Sequence, residues 1–101
     1  MDIDLDLYRH EIRVSTDPLV RLSALDVSPD HPQRTFVFLH GFGGQALQWI
    51  YQMQKFSLSS RVIALDLRGH GLSDKPSTGY DMPTMQSDIL TAPNTPENRS
   101  R

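Results

Sequence analysis

The sequence contains no cysteine. That absence excludes a disulfide framework and a Cys-based zinc site, and it is compatible with a reducing compartment. There is one tryptophan, and no apolar run approaches the ~20 residues that span a bilayer, so no transmembrane helix and no membrane partner are expected. Basic residues are not in excess: 10 Lys and Arg stand against 12 Asp and Glu, a net charge of −2. A broad nucleic-acid face is therefore not expected. Met1 to Asp6 carries three Asp and no basic residue, which does not fit the basic start and apolar stretch of a secretory signal. These absences lead to the expectation of a soluble, cytoplasmic chain. Its 101 residues fit one domain at most.

The residues that are present fall into patterns. Ile3, Leu5 and Leu7 alternate with Asp2, Asp4 and Asp6, and Ile12 and Val14 continue the alternation. Period two marks a half-buried strand. Asp17-Pro18 is a turn signal, and a second alternating stretch follows with Leu22 and Val27 as the expected inward residues. Together these predict an N-terminal β-hairpin or meander solvated on one face. Pro29 and Pro32 mark a loop from Ser28 to Arg34.

Thr35-Phe36-Val37-Phe38-Leu39 is continuously apolar and β-favouring, as is Val62-Ile63-Ala64-Leu65. Such runs suit strands buried on both faces of a parallel sheet. Between them, Ala46, Trp49, Ile50, Met53 and Phe56 fall at helical spacing within Gln45 to Phe56. Strand, helix, strand predicts a βαβ unit with a right-handed parallel crossover. Leu67 to Gly79 reads as a loop. Asp81 is placed to cap a last short helix, Pro83 to Leu90. Thr91 to Arg101 contains one Ala and no larger apolar residue. It is expected to be a disordered tail, because it cannot bury enough surface to offset its ordering entropy.

His40-Gly41-Phe42-Gly43-Gly44 stands where the first buried strand ends. Closely spaced glycines let a backbone turn sharply and present bare N–H groups. Two chemistries use that geometry: an oxyanion hole and a dinucleotide pyrophosphate site. Gly41, Gly43 and Ala46 match G-x-G-x-x-A, and Asp66 stands where a ribose-binding carboxylate would. A plain tight turn explains the glycines equally well.

The loop after the second buried strand reads Asp66-Leu67-Arg68-Gly69-His70-Gly71-Leu72-Ser73. The two motifs, 26 residues apart and each after a β-rich run, resemble the α/β-hydrolase family over about Met1 to Leu90. The resemblance implies an α/β fold in which N-terminal antiparallel strands precede a βαβ unit, the start of a hydrolase sheet. It implies residues 1–90 as a partial domain and 91–101 as the tail. It also implies that the Phe42 backbone N–H is one oxyanion donor, and that Phe42 and Trp49 border a pocket. His40, Gly41, Gly43, Gly44, Asp66, Arg68, Gly69 and Gly71 then hold the two turns. His40 is expected to hydrogen-bond backbone rather than act as a base, because the family's catalytic His follows its nucleophile. The bland reading of Asp66 and Arg68 is loop fixation through hydrogen bonds and an ion pair. No metal or cofactor is expected.

No G-x-S-x-G nucleophile elbow occurs. The chain therefore resembles the opening part of a hydrolase that would act on a small-molecule ester, amide or related substrate by nucleophile–His–acid catalysis. Without the triad it is expected to be inactive alone. A dinucleotide-binding βαβ module and a non-enzymatic self-associating fragment are the alternatives, the latter pairing through an exposed sheet edge.

Overall fold

A computed structural model describes residues 7–41 and 43–94. Strands β1 (Arg9–Thr16) and β2 (Leu19–Val27) come first, then β3 (Thr35–Phe38). A 3-10 turn, Ala46–Trp49, leads into helix α1 (Ile50–Phe56). Strand β4 (Arg61–Leu65) and helix α2 (Met82–Thr91) follow, with a closing 3-10 turn at Ala92–Asn94.

The sheet order is β1-β2-β4-β3. The β1/β2 and β2/β4 pairs are antiparallel, and β3 runs parallel to β4 with Phe36 beside Val62 and Phe38 beside Ala64. The expected hairpin followed by a βαβ unit is therefore present. Ile3 and Leu5, expected in the first strand, lie outside the described residues.

Side chains alternate across the sheet and divide the core in two. On one face Ile12, Val20, Leu22, Ala24, Ile63, Leu65 and Ala92 form a cluster. On the other, Leu25, Val62 and Ala64 pack with Ala46 and Met53 from the turn and α1. Burying one such Leu, Ile or Val stabilises by about 1.5–3 kcal/mol relative to leaving it exposed. Leu22 and Val27 point to opposite faces, five residues apart on one strand. The hairpin keeps the expected one solvated face through β1 and the first half of β2, where Leu19 and Arg21 are exposed and Val20 and Leu22 buried, and loses it beyond. The second half of β2 pairs with β4 and becomes an interior strand, with a cluster on each side.

Two helix boundaries differ from expectation. The first helical stretch opens as a 3-10 turn, in which the Gln48 N–H donates to the Gln45 carbonyl at 3.2 Å. This i→i+3 winding is common where a helix begins. The second helix is capped by Asp81 as expected: its carboxylate accepts from the Thr84 N–H at 3.1 Å. It extends through Thr91, and Ala92 is fully buried under β1 and β2. The expected tail from residue 91 is thus corrected for its first four residues. Ala92 belongs there to the cluster with Ile12, Val20, Leu22, Ala24, Ile63 and Leu65. Residues 95–101 lie outside the described residues.

Candidate functional site

Because β3 and β4 run parallel, the segments leaving them emerge on the same side of the sheet. In open α/β sheets that is where ligands bind. His40 leaves β3 and Asp66 leaves β4, and both are buried. The His40 Nε2 accepts from the Leu67 N–H at 3.0 Å, and its Nδ1 lies 2.7 Å from the Gly41 carbonyl. Since a carbonyl can only accept, this pattern assigns the ring proton to Nδ1. The imidazole is a clamp between the two loops. His70 lies beside it, with ring centroids 4.9 Å apart, and its Nδ1 meets the Arg68 carbonyl at 3.1 Å.

Asp66 organises both turns. Its Oδ1 accepts from the Ala46 N–H at 2.6 Å, where the first helical stretch begins. Its Oδ2 accepts from the Leu72 N–H at 3.2 Å and from Arg9 at 3.4 Å. The carboxylate is only 3 % exposed and faces inward, which removes the ribose-binding role that a dinucleotide site would require of it. Gly71 has φ +51°, and a Cβ there would collide with the Asp66 carboxylate. Ser73, whose hydroxyl donates to the Asp66 carbonyl, receives the Ser23 N–H at 2.7 Å. Asp74 accepts from the Arg21 N–H at 2.8 Å, and this backbone bond is the first cause holding its carboxyl below the ordinary value.

Arg68 does not pair with Asp66. Its guanidinium lies buried against Asp88 on α2, in a two-point contact at 2.7 and 2.9 Å. The hydrogen bond to Asp88 is the largest cause raising its pKa, against the opposing effect of burial. Its third nitrogen donates to the Thr78 carbonyl at 3.3 Å. Gly79, at φ +90°, leaves the room that the guanidinium occupies.

The glycine turn is closed by the Gly44 N–H donating to the Gly41 carbonyl at 3.0 Å. Gly43 and Gly69 adopt φ +84° and +80°. Phe42, expected to supply the oxyanion donor, lies outside the described residues. Trp49 stacks on Phe38 with ring centroids 5.2 Å apart, and its buried indole Nε1 has no hydrogen-bond partner among the described residues. The two motifs are thus brought together by His40 and Asp66, while Trp49 packs on the α1 side of the sheet.

Sequence reasoning missed Asp88 and assigned Ser73 no structural role. The signal for Asp88 was available: it stands three residues after Met85 and four before Ala92, all on the buried side of the helix. A carboxylate on an apolar helix face needs a buried partner. Among the described residues, no group of three or more His, Asp or Glu could hold a metal ion, and no helix is long and apolar enough to cross a membrane.

Comparison with known proteins agrees with this geometry. The sequence model of the alpha/beta hydrolase fold family matches residues 34–94. A non-heme chloroperoxidase from Streptomyces lividans is 54 % identical over 54 residues, which cover 52 % of this chain and 20 % of the relative. The AB hydrolase superfamily protein YisY of Bacillus subtilis is 36 % identical over 77 residues, 75 % of this chain and 28 % of the relative. Among solved structures, an epoxide hydrolase from metagenomes of hot environments superposes with a TM-score of 0.76 at 28 % identity, covering 94 % of this chain and 30 % of its own. The chain therefore spans under a third of the length of these relatives. With a glycine turn after β3, a clamped loop after β4, and antiparallel strands ahead of both, the chain belongs to the α/β-hydrolase fold family.

Proposed function

We propose that this chain supplies the oxyanion side of a hydrolytic active site that uses a nucleophile–His–acid triad on a small-molecule ester, amide, epoxide or related substrate. The observation that carries the proposal is the His40 clamp. It holds the glycine turn against the loop after β4, at the end of the sheet where α/β enzymes bind ligands. In this reading the Phe42 N–H donates to the developing oxyanion. The names of the relatives, a chloroperoxidase and an epoxide hydrolase, support a small-molecule substrate.

The sequence contains no G-x-S-x-G elbow, so the 101-residue chain by itself forms no acyl-enzyme in this reading. The proposal includes a cytoplasmic setting, which the cysteine-free composition accommodates.

A graft tests both parts. The purified chain is expected to leave a p-nitrophenyl ester untouched. Fused ahead of the remaining sequence of the Bacillus subtilis relative, it is expected to hydrolyse the ester. Phe42→Pro in the fusion removes the donor N–H and should lower turnover by about 10²–10³. Turnover by the purified chain alone, or a folded fusion indifferent to Phe42→Pro, overturns the proposal.

A further inference from the structure

The two ends of the glycine turn are fixed to consecutive residues. At its start, the His40 Nε2 accepts from the Leu67 N–H at 3.0 Å. At its end, the Ala46 N–H donates to the Asp66 Oδ1 at 2.6 Å. Residues 41–45 therefore run between two ties that both reach the chain where it leaves β4. Among the described residues, the hydrogen bonds within the turn itself are fewer. The Gly44 N–H donates to the Gly41 carbonyl at 3.0 Å, and the Gln45 N–H makes a longer contact with the Gln48 side chain at 3.4 Å.

The Asp66 carboxylate has little freedom to move. Its Oδ2 is held by the Leu72 N–H at 3.2 Å and by Arg9 at 3.4 Å, and Gly71 closes against it on a side where no Cβ fits. Arg9 is anchored in turn, donating to the Ser23 hydroxyl at 2.6 Å. The carboxylate thus carries the position of the loop after β4, and of β1 and β2, to the residue that opens the helical stretch.

We propose that Asp66 is the positioning residue of the glycine turn. Through Oδ1 it fixes where residues 41–45 stand at the end of the sheet, and so where the Phe42 N–H is aimed. The assignment rests on the oxyanion role proposed above for that N–H. A donor of this kind works only when held about 2.7–3.1 Å from the place where charge develops, and a misplacement of ~1 Å costs as much as about 10²-fold in rate. Asp66 acts through the turn and not on substrate.

Asp66→Asn singles out this tie. An amide has one accepting oxygen, and its NH₂ group only donates. Oδ2 faces two donors and Oδ1 one, so the amide oxygen takes the Oδ2 place and the NH₂ group meets the Ala46 N–H. In the fusion with the Bacillus subtilis sequence, this variant should lower kcat roughly ten- to hundredfold and leave KM within about threefold. Asp74→Ala is the control for mere loosening of the same loop. It removes the acceptor of the Arg21 N–H, leaves the turn untied to the change, and should keep kcat within about twofold. If Asp66→Asn does not fold, L-lactic acid in place of Ala46 replaces the donor N–H by an ester oxygen with Asp66 intact, and the same fall in kcat is expected.

Amide hydrogen exchange on the 101-residue chain reads the tie without any catalysis. Exchange at Gly44, whose N–H closes the turn, should quicken about fivefold or more in Asp66→Asn or with lactic acid at position 46, and stay unchanged in Asp74→Ala. A fusion indifferent to Phe42→Pro overturns the oxyanion reading and the assignment with it. A fusion that responds to Phe42→Pro but not to a folded Asp66→Asn or the lactic acid variant overturns the assignment alone. So does an equal loss of kcat in Asp74→Ala, or Gly44 exchange that ignores the loss of the tie.

Discussion

Arg68 and Asp88 are the residues on which the loop after β4 and helix α2 depend for their mutual placement. Both are buried, and each satisfies the other through two hydrogen bonds. Removing one member of such a pair leaves an uncompensated buried charge. Asp88→Ala is therefore expected to destabilise the chain by about 3–5 kcal/mol, read as a fall in the urea midpoint. Surface-exposed Asp30→Ala is the control and should change stability by no more than about 0.5 kcal/mol. At this scale the sequence was legible in part. Asp66, Arg68 and His40 stood out because their motifs are local. Asp88 did not, because its partner lies 20 residues away, and only folding brings the two together. Ser73 stood in the second motif without a role of its own, whereas in the structure its hydroxyl bridges the Ser23 N–H and the Asp66 carbonyl.

Among the elements, β4 and both helices could be read from the sequence, whereas β3, expected to be buried on both faces, has no buried residue, and the ends of the helices could not be read. The apolar stripe from Ala46 to Phe56 is real, yet the stretch begins as a tighter 3-10 turn. There the Ala46 N–H is held by Asp66 from across the sheet. Tertiary contacts of that kind leave no trace in local spacing. The end of α2 teaches the same lesson. The near absence of apolar residues after Leu90 suggested that nothing there could order, but one small residue, Ala92, is fully buried in the cluster formed by β1, β2 and β4. Truncation measures that contribution. A chain ending at Leu90 is expected to melt several degrees below one ending at Asn94, because it exposes the apolar surface that Ala92 covers. Equal melting temperatures for the two would mean that the closing turn contributes nothing.

For the molecule as a whole, the sheet is a wall between two hydrophobic clusters that share no member. Substitutions in separate clusters should then act independently. Ile12→Val and Met53→Val, one on each face, are each expected to cost about 1 kcal/mol. Together they should cost the sum to within about 0.5 kcal/mol in chemical denaturation. A larger deviation would show that the faces communicate through β2 and β4. The class of fold was legible at this scale from a hairpin followed by strand, helix, strand. The sheet order was not. No local pattern announces that β4 inserts between β2 and β3, and that insertion is what buries the second half of β2 on both sides. The union of β2 with the loop after β4 has a consequence for how such chains diverge. Four of the bonds there use the strand's main chain, the N–H and C=O of Arg21 and of Ser23, and the Arg21 Nε adds a longer contact to Asp74 at 3.4 Å. The loop answers with two side chains, Ser73 and Asp74, as well as backbone. Mutation is therefore free to rewrite positions 21 and 23 without severing these four bonds, while positions 73 and 74 carry the constraint for both partners. Homologues should vary on the strand and hold still on the loop.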